Sequence, residues 1–91
     1  MYKLDITTDA LNFTKSLPAK QFKQIFTAIM ELLKNPSPHD SSMLKGYPSL
    51  HRKDVGEYRI IYKFDDDTVY VLLIGKRNDD GVYKKLRRKL G

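Results

Sequence analysis

The chain has 91 residues, of which 41% are hydrophobic and 31% are charged. This composition suits one globular domain over residues 1–91 and excludes a disordered chain. The sequence has no cysteine, which excludes disulfide bonds and thiolate metal sites. No apolar run reaches the ~18 residues that a membrane span needs, and the first residues lack the apolar core of a signal peptide. We therefore expect a cytoplasmic protein without a membrane partner.

The net charge of +6 is concentrated toward the C-terminus. Residues 76–91 carry seven basic and two acidic residues, whereas residues 1–75 carry ten basic and nine acidic ones. A concentrated basic segment predicts a polyanionic partner, either nucleic acid or an acidic protein segment. The alternative is a solvated, lysine-rich tail.

The first predicted elements are a strand and a short helix. Apolar and polar residues alternate over residues 1–7, which predicts a strand with one buried face. That face carries Tyr2, Leu4 and Ile6. Thr7 and Thr8 are suitable N-caps for a helix over residues 9–16.

The next segment predicts a longer helix from Pro18 to about Lys34, followed by a loop. Apolar residues at helical spacing form a stripe that we expect to be buried. The stripe consists of Phe22, Ile25, Phe26, Ile29, Leu32 and Leu33. Residues 35–49 are rich in Pro, Ser and Gly, and this composition is typical of a loop.

The second half of the chain predicts three strands and a final helix. The strands cover residues 50–55, 58–64 and 68–74, Gly56-Glu57 forms a tight turn, and a short basic helix covers residues 82–90. The predicted order is β-α-α-β-β-β-α. The fold class is therefore α+β, a small, mostly antiparallel sheet with an N-terminal helical hairpin and a short C-terminal helix.

Several kinds of chemistry lack a motif in this sequence. His39 and His51 do not stand at the spacing of metal ligands. The acids at 65–67 are typical of a solvated turn, and no nucleotide-binding or nucleophile-elbow motif is present. We expect no cofactor and no metal, so any catalysis should depend on Arg, Lys, Tyr or His.

The predicted hairpin places charged side chains together. A two-residue turn at Gly56-Glu57 puts Asp54 opposite Arg59, and strand alternation then gives Arg52, Asp54 and Arg59 one shared face. His51 falls on the opposite face. Guanidinium groups bind phosphate oxygens in a two-pronged geometry, so this face is a candidate phosphate site. The alternative is that Arg52 and Arg59 are solvated residues with Asp54 as a partner.

Two further candidates follow the last strand. Arg77 stands at the strand end, and Tyr83 lies on the first turn of the final helix. Three arginines with an aromatic ring are typical of a site for single-stranded RNA, where the ring stacks on a base. The alternative for Tyr83 is a core contact of the helix.

Four motifs together resemble the RelE/ParE superfamily of type II toxins. They are Leu-Lys-Gly-Tyr-Pro at 44–48, Arg-Lys-Asp-Val-Gly-Glu-Tyr-Arg-Ile-Ile-Tyr at 52–62, Gly-Lys-Arg at 75–77 and Val-Tyr at 82–83. The resemblance covers nearly the whole chain. The Gly-Lys-Arg segment, with a tyrosine six residues after its arginine, is more similar to the RelE branch.

The resemblance implies a metal-independent, ribosome-dependent endoribonuclease that cleaves mRNA in the ribosomal A site and inhibits translation. The 2′-hydroxyl of the RNA would attack the adjacent phosphorus. The catalytic residues carried over are Arg52, Arg59, Arg77 and Tyr83, with Tyr83 serving either proton transfer or base stacking. Asp54 departs from the pattern, since many relatives carry a basic residue there.

The resemblance also implies the partners. They are a cognate antitoxin, whose acidic or amphipathic segment covers the basic surface, and the ribosome with its mRNA. The basic residues expected to contact RNA or the ribosome are Lys45, Lys53, Lys76, Lys84, Lys85, Arg87 and Arg88. Two alternatives stay open: a ParE-like toxin that poisons DNA gyrase without cleaving RNA, and a weak catalyst that mainly binds an antitoxin.

Overall fold

The computed structural model describes residues 1–37, 42–44, 46–77 and 81–90. Its elements are β1 (Lys3–Ile6), α1 (Thr8–Lys15), α2 (Ala19–Lys34), β2 (Ser42–Leu44), β3 (Tyr47–Val55), β4 (Tyr58–Phe64), β5 (Thr68–Lys76) and α3 (Gly81–Leu90). The predicted α+β class is confirmed. None of these helices, over the residues described, is long and apolar enough to cross a membrane.

The strands form one five-stranded sheet in the order β1-β5-β4-β3-β2. Three of its four neighbouring pairs are antiparallel, and β1 pairs in parallel with β5. The predicted mostly antiparallel sheet is therefore confirmed. The β3–β4 hairpin carries Arg52 and Arg59, and Arg77 directly follows the neighbouring strand β5.

One strand lies where a loop was predicted. Residues 42–44 form β2, and β3 begins at Tyr47, although residues 35–49 were expected to have no regular structure. A three-residue strand is too short to show an alternating pattern. These residues form a strand because their main chain pairs with β3, where Met43 lies opposite His51 and Ser42 opposite Arg52. The local composition does not indicate this pairing.

The helical hairpin of α1 and α2 covers one face of the sheet. Thr7 caps α1, because its hydroxyl oxygen accepts a hydrogen bond from the amide of Ala10. Ile25 and Leu32 of α2 are fully buried against Tyr62 and Ile60 of β4 in a continuous apolar core. The face of β4 that carries Ile60 and Tyr62 is therefore part of the core.

Part of the predicted apolar stripe is not buried. Phe22 and Phe26 are 39% and 50% exposed, and their rings stack on each other at 6.2 Å between centroids. The stripe is wider than the surface that the sheet covers, so its outer edge reaches solvent. Leu4 is exposed as well, because β1 lies at the edge of the sheet with a neighbour on one side only.

A second apolar core lies on the other face of the sheet, under α3. Its buried residues are Leu44, Leu50, Ile61, Leu73, Val82 and Leu86. The helix approaches β5 closely at Gly75, where an added Cβ would lie 3.2 Å from the Cβ of Val82. This close approach holds the next residue of the helix, Tyr83, above the surface formed by β3 and β4.

Candidate functional site

The β3–β4 hairpin has the register that the sequence predicts. Val55 pairs with Tyr58 and Asp54 with Arg59 across the two-residue turn Gly56-Glu57. Gly56 adopts a φ of 57°, a conformation that hairpin turns favour and that glycine accepts without a steric penalty. Alternation then turns the side chains of Arg52, Asp54 and Arg59 toward the α3 side of the sheet.

Asp54 and Arg59 form a two-pronged ion pair. Nε of Arg59 donates to Oδ1 of Asp54 at 2.7 Å, and the terminal Nη2 donates to Oδ2 at 3.2 Å. The hydrogen bond from Arg59 lowers the pKa of Asp54 against the opposing effect of burial, and the charges of Arg52 and Arg77 lower it further. The same hydrogen bond raises the pKa of Arg59. The predicted pairing of Asp54 with Arg59 is confirmed.

Arg59 also contacts the C-terminal helix. Its Nη1 donates a hydrogen bond to the hydroxyl oxygen of Tyr83, and its guanidinium carbon lies 5.7 Å from the centre of the tyrosine ring. Tyr83 is half-buried and packs against the second core. The tyrosine is thus a core contact, as the alternative expectation had it, and it is also a direct neighbour of Arg59.

Arg77 reaches the same group from the end of β5. Its backbone amide donates to the carbonyl of Glu57 at 2.9 Å, which fixes the strand end beside the β3–β4 turn. Its Nη1 lies 3.7 Å from Oδ2 of Asp54, and its side chain is 46% exposed. The carboxylate of Asp54 therefore lies between the guanidinium groups of Arg59 and Arg77.

Arg52 borders a small cavity next to this group. The cavity has a volume of about 330 Å³ and is lined by Met43, Leu44, Arg52 and Tyr83. Nε of Arg52 donates to the hydroxyl of Ser42 at 2.8 Å. Ser42 and Met43 were missed by the sequence analysis, because they lie on the strand that was predicted to be a loop.

The basic residues predicted to contact RNA fall into three groups. Lys84, Lys85, Arg87 and Arg88 are exposed on α3, and Nζ of Lys85 lies 5.7 Å from the centre of the Phe13 ring of α1. Lys53 and Lys76 pair with Ile60 and Tyr58, whose side chains belong to the opposite face of the sheet, so the structure does not bring them into the same cluster. Lys45 lies outside the described residues.

A cleft of about 540 Å³ lies on that opposite face, between α2 and the β3–β4 turn. Its lining includes the basic residues Lys20, Lys23 and Lys53 together with Glu31. His51 also faces this side and stacks on Tyr62 at 5.5 Å between ring centroids. The prediction that His51 turns away from the arginines is confirmed.

The acidic turn at residues 65–67 is held by hydrogen bonds to Asp65. Oδ1 of Asp65 accepts from the amides of Asp67 and Thr68, and Oδ2 accepts from the hydroxyl of Tyr70. These hydrogen bonds lower the pKa of Asp65 and raise that of Tyr70. The carboxylate of Asp65 thus has a structural role in the turn, in agreement with the turn predicted there.

The chemistry of the arginine face follows from its charges. Arg59 and Arg77 flank one carboxylate, the charge of Arg52 lowers the pKa of that carboxylate, and a phenol lies beside Arg59. Guanidinium groups fixed in this way can bind phosphate oxygens and stabilise negative charge that develops on them.

Comparison with known proteins identifies the family. Residues 4–81 match the family described as "ParE toxin of type II toxin-antitoxin system, parDE". Since the match covers most of the chain, the protein belongs to the ParE toxin family of type II toxin–antitoxin systems. No curated protein sequence matches the chain.

Solved structures with the same fold include RelE toxins, their complexes, and a YoeB/ParE toxin from Agrobacterium tumefaciens. The isolated Escherichia coli RelE toxin is 24% identical with a TM-score of 0.74, over 100% of both chains. A chain of the intact E. coli RelBE toxin–antitoxin complex is 26% identical with a TM-score of 0.72, over 84% of this chain and 96% of that one. A chain of the archaeal RelE–RelB complex from Pyrococcus horikoshii OT3 is 25% identical with a TM-score of 0.73, over 84% and 94%. The resemblance to the RelE/ParE superfamily is confirmed.

Proposed function

We propose that this toxin is a ribosome-dependent endoribonuclease that cleaves mRNA in the A site. The observation that carries the proposal is the convergence of Arg52, Arg59, Arg77 and Tyr83 on one face of the sheet. These residues come from β3, β4, the end of β5 and α3. An arrangement built from four separate elements is difficult to attribute to the solvation of a single strand.

The proposed reaction is a transesterification within the RNA. The 2′-hydroxyl gives up its proton as its oxygen forms a bond to the adjacent phosphorus. The bond from phosphorus to the 5′-oxygen breaks, and the 5′-oxygen takes up a proton, so the products are a 2′,3′-cyclic phosphate and a 5′-hydroxyl. Negative charge builds up on the non-bridging oxygens in the transition state. Arg59 and Arg77 stabilise that charge, as fixed hydrogen-bond donors do in other active sites.

The position of Tyr83 suits two roles in this reaction. Its hydroxyl accepts from Arg59 and its ring lines the cavity beside Arg52. From there the hydroxyl can exchange a proton with the reacting oxygens, or the ring can stack on an unpaired base. A Tyr83→Phe variant separates the two roles, because phenylalanine stacks equally well and has no hydroxyl.

The exposed basic side of α3 supports a wider nucleic-acid contact. Lys84, Lys85, Arg87 and Arg88 extend the positive charge of the arginine face. We assign this helix to contacts with ribosomal RNA phosphates. Lys53 and Lys76, on the other side of the sheet, would contact RNA only on a second surface.

The proposed protein partner is a cognate antitoxin. Structures of similar fold include RelE–RelB and RelBE toxin–antitoxin complexes. An acidic or amphipathic segment that covers the basic surface would block the arginines, and electrostatic attraction would make its association fast and sensitive to salt.

The test of the proposed function is primer extension on an mRNA in a reconstituted translation system. Wild-type protein is compared with Arg77→Ala, which removes an exposed guanidinium and few packing contacts. Lys34→Ala, an exposed charge at the end of α2, is the matched control. We expect codon-phased cuts with wild type and control, none without ribosomes, and a loss of at least about a hundredfold in Arg77→Ala.

A second candidate function is the poisoning of DNA gyrase, which resemblance to the ParE branch implies. The match of residues 4–81 to the ParE toxin family favours it. Intact mRNA at saturating toxin, together with inhibited supercoiling by gyrase, would replace the first proposal with this one.

A further inference from the structure

In the free protein a carboxylate holds the phosphate-binding edge of Arg59. Nε and Nη2 of Arg59 point to the two oxygens of Asp54, at 2.7 and 3.2 Å. This edge of the guanidinium presents two parallel N–H donors and can bind two phosphate oxygens side by side. The remaining terminal nitrogen, Nη1, donates to Tyr83. A phosphate can therefore bind the paired edge of Arg59 only after Asp54 has left it.

The ion pair of Asp54 and Arg59 is accessible enough for a phosphate to replace the carboxylate. The side chain of Arg59 is 12% exposed, whereas that of Asp54 is 36% exposed. The carboxylate is thus the partner nearer to solvent, and it covers an arginine that is largely buried. Arg77 is within 3.7 Å of the same carboxylate and is more exposed still, so an incoming anion meets Arg77 first.

Asp54 is a charged competitor at neutral pH. Its hydrogen bond from Arg59 keeps its pKa below the usual value, with further lowering by the positive charges of Arg52 and Arg77. Two anions, this carboxylate and an RNA phosphate, then compete for one guanidinium edge. Either anion can neutralise these arginines, but the two anions cannot bind the same edge of Arg59 at the same time.

We propose that Asp54 is an internal counter-ion that occupies the phosphate position of the free toxin and that RNA must displace, so that this residue sets the affinity of the site for RNA. The inference rests on the proposed function in taking RNA as the ligand. It adds a residue that determines affinity and binds no substrate atom itself. A toxin with this residue binds RNA phosphate more weakly than the same site with a neutral residue would.

The experiment measures binding without cleavage. The probe is a fluorescein-labelled single-stranded RNA with 2′-O-methyl groups at every position, which cannot undergo attack by a 2′-hydroxyl. Fluorescence anisotropy gives its Kd at one fixed salt concentration. We expect Asp54→Asn to bind about tenfold more tightly than wild type, since a charged hydrogen-bonded competitor has been removed.

Two variants serve as matched controls. Asp66→Asn makes the same change in net charge in the exposed β4–β5 turn, away from the arginines, and we expect a change of less than about twofold. Asp54→Glu keeps the negative charge, and its affinity should stay near that of wild type. If Asp54→Asn folds poorly in a thermal melt, Asp54→Thr tests the same expectation with a residue that suits a strand.

The outcomes separate this inference from the proposed function. An affinity of Asp54→Asn equal to that of Asp66→Asn, or weaker than wild type, overturns it and makes Asp54 a residue that holds Arg59 in place. Absence of binding by all variants at low salt overturns it too. Tighter binding by Asp54→Asn in a toxin that leaves ribosomal mRNA intact supports the inference and removes only the proposed cleavage.

Discussion

Asp54 and Arg59 lie directly opposite each other on β3 and β4, next to the turn that joins the two strands. A carboxylate whose pKa is lowered in the folded state stabilises the fold above its unfolded-state pKa of ~3.9. That contribution is lost as the pH falls through the lower folded-state pKa. The direction of the Asp54 pKa shift therefore links the site to acid sensitivity.

We expect Asp54→Asn to lower the free energy of unfolding at pH 7 by about 0.5–1 kcal/mol, the range of partly exposed ion pairs. The difference from wild type should shrink toward zero as the pH falls below the folded-state pKa of Asp54, because both proteins then carry a neutral side chain. Urea unfolding followed by circular dichroism, at pH 7 and at a series of acid pH values, measures the difference. A difference that stays constant across the series would show that the ion pair contributes nothing.

The sequence predicts the hairpin part of the site well and the helical part less well. Asp54 opposite Arg59 follows from a two-residue turn and strand alternation, both of which are local rules. The bond from Arg59 to Tyr83 depends on how α3 crosses the sheet, and Gly75 leaves room for the close approach of Val82 in that crossing. A contact between residues 24 positions apart in the chain has no local signal.

At the scale of elements, Thr7 joins α1 to the sheet. Its hydroxyl accepts from the amide of Ala10 at 3.1 Å and donates to the carbonyl of Leu72 at 2.6 Å. Leu72 is the extra residue where the β4–β5 register shifts, since Ile61 pairs with Leu73 and Tyr62 with Val71. One side chain therefore caps a helix and also satisfies a carbonyl at a strand irregularity.

Removing this hydroxyl should be measurable. We expect Thr7→Ala to lower the free energy of unfolding by about 1–2 kcal/mol, through a lost cap and an unpaired carbonyl. Thr7→Ser keeps the hydroxyl and should lose much less. Thr8→Ala, at the exposed first position of α1, is the control and should change stability by less than about 0.5 kcal/mol. Equal losses for Thr7→Ala and Thr8→Ala would contradict the capping role.

The apolar stripe of α2 yields a second prediction at this scale. Ile25 is fully buried and Phe26 is half exposed, although the sequence predicts both as core. We expect Ile25→Ala to cost about 2–5 kcal/mol and Phe26→Ala to cost less than about 1 kcal/mol. Chemical denaturation of the two variants measures both values. A loss at Phe26 as large as that at Ile25 would mean that the aromatic pair is buried in solution.

Helical periodicity identifies the apolar stripe of α2, but it does not show how much of the stripe the sheet covers. Six apolar residues mark one side of α2, and the sheet behind them covers only the inner part. The width of the contact depends on the twist of the sheet and on where α1 packs, which are properties of the whole fold. The same reason explains β2: its pairing with β3 is non-local, and three residues carry no period.

At the scale of the molecule, different helices cover the two faces of the sheet. The helical hairpin covers one face of the sheet, and α3, with its exposed Lys84, Lys85, Arg87 and Arg88, covers the other. The arginine face adjoins α3. We expect the positive charges on this side to attract a polyanion, to speed its association and to make that association sensitive to salt.

The salt dependence of RNA binding tests whether the RNA contacts basic residues of α3. Each phosphate contact on single-stranded nucleic acid contributes about 0.7 to the slope of log affinity against log salt, because bound counter-ions are released. We expect Arg87→Gln on α3 to reduce the slope by about 0.7, and Lys34→Gln at the end of α2 to leave it unchanged. Both variants lower the net charge equally, so an effect of total charge would change the two slopes alike. Anisotropy titrations with the 2′-O-methyl RNA between about 50 and 200 mM salt measure them. Equal slopes for the two variants would show that α3 carries no specific contact to the RNA, and its basic residues would then be a solvated surface.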